Sequence, residues 1–254
     1  MLKINIKKYL IMKKIIIIGA GAMGSAFAVP CIENKNEVTL VGTHLEDELI
    51  KNIQSNNNFH PALNIELPAK LKVEKHNKLK SILDGGIDIV VAGVSSVGIE
   101  WFVKQIAKSY KKNLPIILLT KGLAIEDNEL ITLSDKIKKL LKGEGHADVN
   151  ISAIKGPCLA AGLAYKMRTG TVIANPNIKE TEKLKKIIST NYYSTEVSDD
   201  LTGIELSGAI KNIYSMLIGA SEGLSNSEAP KEIQSKYYLN TSASLIHRSI
   251  SEMV

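Results

Sequence analysis

Four consecutive isoleucines, Ile15, Ile16, Ile17 and Ile18, run directly into Gly19-Ala20-Gly21-Ala22-Met23-Gly24. β-Branched residues lose side-chain freedom in a helix and suit a pleated sheet, and an unbroken apolar run reads as a strand covered on both faces. The glycines mark a tight turn, and the small residues Ala26 and Ala28 continue as a helix. Strand, glycine turn and helix in that order restrict the start of the fold to a parallel-sheet unit with a helix packed on it. In such a unit the first glycine permits the turn, the second lets the backbone approach a pyrophosphate, and the third lets helix and strand pack closely. The helix N-terminus offers the anion unpaired N–H groups and a positive dipole end. Gly19, Gly21 and Gly24 are therefore expected to seat the pyrophosphate of NAD or NADP.

The rest of the chain repeats the alternation. Residues 37–41 read as a strand, 47–54 as a helix, 56–68 as a loop and 79–83 as a short helix. Residues 87–92 read as a buried strand, 99–110 as a helix, 115–120 as a strand and 130–142 as an amphipathic helix. After a turn at 143–148, residues 149–154 form a strand that Gly156-Pro157 breaks. Strands at 171–174 and 192–197 flank a helix at 179–189. This predicts an α/β fold, a Rossmann-type doubly wound parallel sheet with helices on both faces, over residues 12–198. From Asp199 the strand signals stop. Helices at 201–218 and 236–253 read as the start of an all-helical domain over residues 199–254. Residues 1–11 are basic and mildly apolar but lack a long apolar stretch and a small-residue cleavage site. They read as an N-terminal extension rather than a signal peptide.

The bulk properties narrow the function classes. The net charge is +6, which fits nucleic acid or anionic phosphates equally well. The lysines are scattered, singly or in pairs such as Lys138-Lys139 and Lys185-Lys186, in amphipathic stretches, where they read as solvated faces. Aromatic residues form no stacking series, so no nucleic-acid partner is expected. No apolar run approaches the ~20 residues that span a bilayer, so no membrane partner is expected either. Cys31 and Cys158 stand far apart without metal-ligand spacing, which predicts a reducing compartment, no disulfide framework and no metal.

Three further stretches can carry chemistry. The acid that usually ends the second strand and binds the ribose 2′-OH is absent; Gly42-Thr43-His44 stands there, so NADP is not excluded. His44 reads equally as a cofactor contact and as a solvated loop residue. Thr120-Lys121-Gly122 and Gly156-Pro157 both follow strands, at the carboxyl ends where open α/β sheets bind ligands. Lys121 can face an anionic substrate there, or be solvated. In Glu205-Leu206-Ser207-Gly208-Ala209-Ile210-Lys211-Asn212, helical spacing puts Ser207, Gly208, Lys211 and Asn212 on one side. A half-buried Lys211 can protonate a carbonyl oxygen as hydride arrives at carbon; an exposed one only decorates the helix.

Taken in order, Gly19 to Gly24, Thr120-Lys121-Gly122, Lys155-Gly156-Pro157-x-x-Ala160 and Glu205-x-x-Gly208-Ala209-x-Lys211-Asn212 resemble the NAD(P)-dependent glycerol-3-phosphate dehydrogenase family. The resemblance runs from Met12 over nearly the whole chain. It implies a Rossmann domain followed by a helical one, and a cytosolic enzyme that is usually a homodimer. It implies interconversion of dihydroxyacetone phosphate, a small phosphate substrate, with sn-glycerol 3-phosphate, which feeds phospholipid synthesis. By motif position it implies Lys211 as the catalytic proton carrier, and Lys121 as a contact to substrate and cofactor. Gly156 and Cys158 would line the substrate site, with Asn212 supporting the substrate end. Ala22, Met23, Thr43 and Ala160 would touch the cofactor.

Two departures from the family pattern matter. Position 158 is Cys where the family more often has a hydroxyl or amide side chain. The family also has a later helical segment with an Arg-Asn pair, whose arginine grips the substrate phosphate. Residues 1–254 stop before it, and Arg248 precedes its place. A C-terminally shortened chain with weak or no turnover alone is the expectation. A ketopantoate- or hydroxyacid-reductase-like enzyme shares the glycine turn and a helical lysine, but the motifs at 120–122 and 155–160 favour the dehydrogenase. A non-catalytic NAD(P)-binding module is the reading from outside enzymology.

Overall fold

The computed structural model describes residues 12–228 and 239–253. The expected N-terminal extension at 1–11 and the expected helix start at 236 lie outside the described residues. Strand β1 (Lys14–Ile18) leads through the glycine turn into α1 (Ala22–Glu33) and β2 (Glu37–Val41). Then follow α2 (Asp47–Ser55), a small ribbon of β3 (Phe59–His60) and β4 (Ile65–Glu66), β5 (Lys72–Glu74) and α3 (Leu79–Asp84). The middle of the chain forms β6 (Ile89–Ala92), α4 (Ile99–Ile106), β7 (Ile116–Leu118), β8 (Leu123–Glu126), β9 (Glu129–Thr132) and α5 (Leu133–Gly143). It closes with β10 (Ile151–Lys155), α6 (Ala160–Ala164), β11 (Thr169–Ala174), α7 (Ile178–Ile188), β12 (Tyr193–Ser198), α8 (Leu201–Glu228) and α9 (Leu239–Met253).

Eight strands form one sheet in the order β12-β11-β10-β7-β6-β1-β2-β5. The isoleucine run explains its two covered faces. Ile15 and Ile17 pack with Phe27 and Cys31 of α1, while Ile16 and Ile18 pack with Phe102 and Val103 of α4 on the other side. Burying each such side chain contributes roughly 1.5–3 kcal/mol. Burial also pushes the Cys31 thiol up, so it behaves as an inert core residue.

Six strands, β5 to β10 in the sheet order, run parallel as expected, whereas β11 pairs antiparallel to β10 and carries β12 with it. The connection, residues 156–168, holds only the five-residue helix α6, which rises about 7.5 Å. The chain re-enters the sheet at the end of β10 it has just left.

The helix expected at 130–142 begins later, because residues 129–132 pair with 123–126 as a hairpin around Asp127-Asn128. Thr132 ends that hairpin and caps α5, its hydroxyl accepting from Asp135 N at 3.2 Å. Thr132→Ala is expected to cost about 1 kcal/mol, read as a lower urea midpoint with an unchanged slope. Beyond β12 no strand occurs among the described residues. Helices α8 and α9 pack together, and the Ser207 hydroxyl donates to Met253 O at 3.2 Å. Among the described residues no helix is long and apolar enough to cross a membrane.

Candidate active site

The three glycines of the turn do three different jobs. Gly19 has φ +110°, and a Cβ there would lie 2.7 Å from the carbonyl of Gly93, the residue after β6. Gly24 lies so close to Gly19 that a Cβ would overlap the Gly19 carbonyl oxygen. Gly21 is open, because the nearest atom to the position a Cβ would take there, Glu46 Oε1, is 3.9 Å away. Gly21 is also the N-cap of α1, and no side chain caps that helix. Ala22, Met23 and Gly24, the first turn of α1, thus present their amides beside an open cradle, which fits the pyrophosphate of a dinucleotide.

The Ala20 peptide between the first two glycines is held from both sides. Its carbonyl accepts from the Ser25 hydroxyl at 3.0 Å and from His60 Nε2 at 2.9 Å. His60 Nδ1 accepts from Leu63 N at 3.2 Å, which places the imidazole proton on Nε2. The Ala20 N–H donates to Glu46 Oε2 at 3.0 Å, and Thr43 N donates to the same oxygen at 2.7 Å. The structure therefore brings a carboxylate to the end of β2, although no acid follows that strand directly. Neither His60 nor Glu46 stands out in the sequence. His60 sits in a stretch that reads as loop, and Glu46 stands five positions past Val41. His44 stacks on Trp101, with ring centroids 5.2 Å apart, in an exposed position.

A second group gathers at the carboxyl ends of β7 and β10. The Lys121 ammonium donates to Gly156 O at 3.3 Å. Burial lowers its pKa, and the Lys211 ammonium lowers it further, while Cys158 opposes the shift. Lys211, distant in sequence, thus comes within electrostatic reach of Lys121. Gly156 has φ +153°, and a Cβ there would press to 2.9 Å from Thr171 Cα. Cys158 is 6 % exposed, and burial pushes its thiol up, so it lines the region as a neutral group. Asn212 is exposed next to Lys211 on α8. Ala160 opens α6 and packs with Ala22 and Met23 against one core layer, near the cradle. Ser207 turns to α9 instead of sharing the site face with Gly208.

Lys155 is the third lysine here; it ends an apolar strand and opens the motif at 155–160. It is 4 % exposed, its ammonium donates to Thr120 O, and Gly208 of α8 rests on its alkyl chain. Glu205, fully buried, accepts from Ser134 N at 3.2 Å through Oε1. Its Oε2 has no hydrogen-bond partner among the described residues. Burial brings Lys155 down to about 8, with Glu205 resisting and Lys121 adding to the shift. Between about 8 and the ordinary lysine value the unfolded chain keeps a proton that the fold has released. Stability from this group is full above that window and is lost, by about 3 kcal/mol in all, as pH falls through it to about 8. Urea unfolding from pH 8 upward should show this rise in the wild type and a flatter profile in Lys155→Met.

The family model of the NAD-dependent glycerol-3-phosphate dehydrogenase N-terminus matches residues 14–181. The chain belongs to the glycerol-3-phosphate dehydrogenase family. An NADP(+)-dependent glycerol-3-phosphate dehydrogenase of Archaeoglobus fulgidus is 33% identical over 237 residues, 93% of this chain and 67% of that protein. The glycerol-3-phosphate dehydrogenase [NAD(P)+] of Bacillus pumilus is 27% identical over 95% of this chain and 65% of its own length. The chain thus spans about two thirds of the curated relatives it matches. The crystal structure of glycerol-3-phosphate dehydrogenase from Coxiella burnetii shares the fold, with a TM-score of 0.75 at 22% identity, over 95% of this chain and 67% of that one. The matched glycerol-3-phosphate dehydrogenase segment contains the cradle, Lys121, Lys155 and Gly156, and α8 with Lys211 follows it.

Proposed function

We propose that the chain carries the dinucleotide site and the proton-donating lysine of an NAD(P)-dependent enzyme that interconverts dihydroxyacetone phosphate and sn-glycerol 3-phosphate. The observation that carries this reading is Lys121 held on Gly156 O, within electrostatic reach of Lys211, at the same carboxyl ends of the strands as the open Gly21 cradle. Gly19, Gly21, Ala22, Met23 and Gly24 would hold the dinucleotide, with Thr43 and Ala160 at its margins. A bound reduced nicotinamide supplies hydride to C2 of the substrate. Lys211 holds the proton that the C2 oxygen takes up, and acts as general acid. Lys121 sets a second positive charge against the developing alkoxide and the substrate phosphate. Gly156, Cys158 and Asn212 line the substrate end, with the neutral thiol filling space.

Residues 12–198 are proposed as the NAD(P)-binding domain, 199–254 as the first part of a helical substrate domain, and 1–11 as an extension. The family resemblance supports a cytoplasmic homodimer that feeds phospholipid precursor synthesis. The test is substrate-dependent oxidation of NADH and NADPH. Dihydroxyacetone phosphate should support it. Oxidation with ketopantoate but not dihydroxyacetone phosphate would overturn the assignment. Tight nucleotide binding without oxidation by either substrate would favour the binding-module reading.

A further inference from the structure

We propose that Glu46 makes the adenosine-ribose end of this site selective for NAD(H) over NADP(H). The inference rests on the dinucleotide reading of the glycine turn and concerns a residue outside the glycine motif. Glu46 is the N-cap residue of α2, yet its side chain turns away from its own helix and makes no capping bond there. Oε2 instead ties together the glycine turn and the end of β2, through Ala20 N at 3.0 Å and Thr43 N at 2.7 Å. Oε1 has no hydrogen-bond partner among the described residues and lies 3.9 Å from the position a Gly21 Cβ would take.

In a dinucleotide fold the adenosine ribose lies between the glycine turn and the end of the second strand, where a carboxylate accepts from its hydroxyls. The sequence lacks an acid directly after β2, but Glu46 returns its carboxylate to that place from five positions later. The free Oε1 is a ready acceptor for a ribose hydroxyl. A 2′-phosphate there would carry about −1.5 to −2 charges against it.

The neighbouring charges add to the discrimination. Asp47 and Glu48 occupy the first turn of α2. Lys51 pairs with Glu48, and His76 Nδ1 lies 3.0 Å from Asp47 Oδ1. His44 lies against Trp101. Among the described residues from 42 to 50 there is no lysine or arginine to receive a 2′-phosphate. The Archaeoglobus fulgidus relative is named as NADP(+)-dependent, so membership of the family does not itself set this preference.

The experiment is equilibrium titration of NADH and NADPH, followed by nucleotide fluorescence, on the wild-type chain and on Glu46→Gln. Glutamine keeps an oxygen for Ala20 N and Thr43 N but removes the charge. The wild type should bind NADH at least about tenfold tighter than NADPH, a difference of about 1.4 kcal/mol. That ratio should shrink as salt is added. Glu46→Gln should bring the two dissociation constants within about threefold, chiefly by tightening NADPH. Equal affinities in the wild type, or tighter NADPH, overturn the proposal. So does a variant that weakens both nucleotides alike, because that is the mark of a residue that only braces the turn. Failure of both nucleotides to bind overturns this inference and the dinucleotide reading together. If Glu46→Gln does not fold, the wild-type ratio and its salt dependence still decide.

Discussion

Gly24→Ala is expected to lower thermal stability and abolish dinucleotide binding together, whereas Gly21→Ala should abolish binding and leave the fold intact. A methyl group on Gly24 would overlap the Gly19 carbonyl oxygen, and that oxygen cannot easily retreat. Gly19 N is bonded to Val41 O at 2.8 Å, and Gly93 closes the other side. Relief requires α1 to lift from the sheet, which carries Phe27 and Cys31 out of the core layer around Ile15 and Ile17. Overpacking of this kind costs about 1–3 kcal/mol, which corresponds to a fall of roughly 2–12 °C in Tm for a chain of this size. At Gly21 the backbone is extended, at φ −61° and ψ 170°, a conformation alanine adopts without strain. Its methyl group would stand in the open cradle, where only a ligand approaches. Thermal unfolding and NADH titration of both variants make the comparison. Equal losses of Tm would show that the cradle is ordinary packing space.

Lys211→Ala should lower kcat by about 10²–10⁴-fold while leaving the NADH dissociation constant within about twofold of wild type. Lys211 lies on α8, away from the glycine turn, so nucleotide affinity does not depend on it directly. Its charge reaches Lys121. Lys211→Arg separates proton transfer from charge. A guanidinium keeps the positive field but gives up no proton near neutral pH, so a proton-donating role leaves the arginine variant as impaired as the alanine one. Recovery of turnover by arginine would reduce Lys211 to an electrostatic contact. Substrate-dependent NADH oxidation, with nucleotide binding measured in parallel, distinguishes these outcomes.

The parts of the fold legible in the sequence are those whose pattern is local and strong. The isoleucine run and the glycines after it announce β1, its two covered faces and the turn. Helical spacing likewise shows α7 and the first turns of α8. The direction of β11 is not legible, because a strand reads the same whether it pairs parallel or antiparallel. The β8–β9 hairpin does leave a sign. Asp127-Asn128 takes φ values of +52° and +63°, as two-residue hairpin turns do, and both residue types tolerate that region.

The site divides in the same way. Gly21 and Lys121 stand in recognisable stretches. Glu46, His60, Lys155 and Glu205 act through partners 26 to 71 positions away, at Ala20, Thr120 and Ser134, and no local spacing encodes such pairings. The motif at 155–160 marks Lys155 but not its burial. Lys155 becomes a buried ammonium only because Gly208 lets α8 settle on its stem.

The reversal of β11 and β12 has a metrical consequence. It delivers the chain to Ser198 on the edge strand, level with Ala153 in the middle of β10 and heading toward that strand's beginning rather than its end. From Leu201 to Lys211 a helix climbs about 15 Å, close to the span of β10 itself. Helix α8 thus works as a ruler laid along that strand, and its eleventh residue reaches the rim where Lys121 waits. Residue count between 201 and 211 sets both the height and the bearing of the lysine. One residue more or fewer would turn it by about 100° and slide it by about 1.5 Å, even though every side chain of the site remained in the sequence.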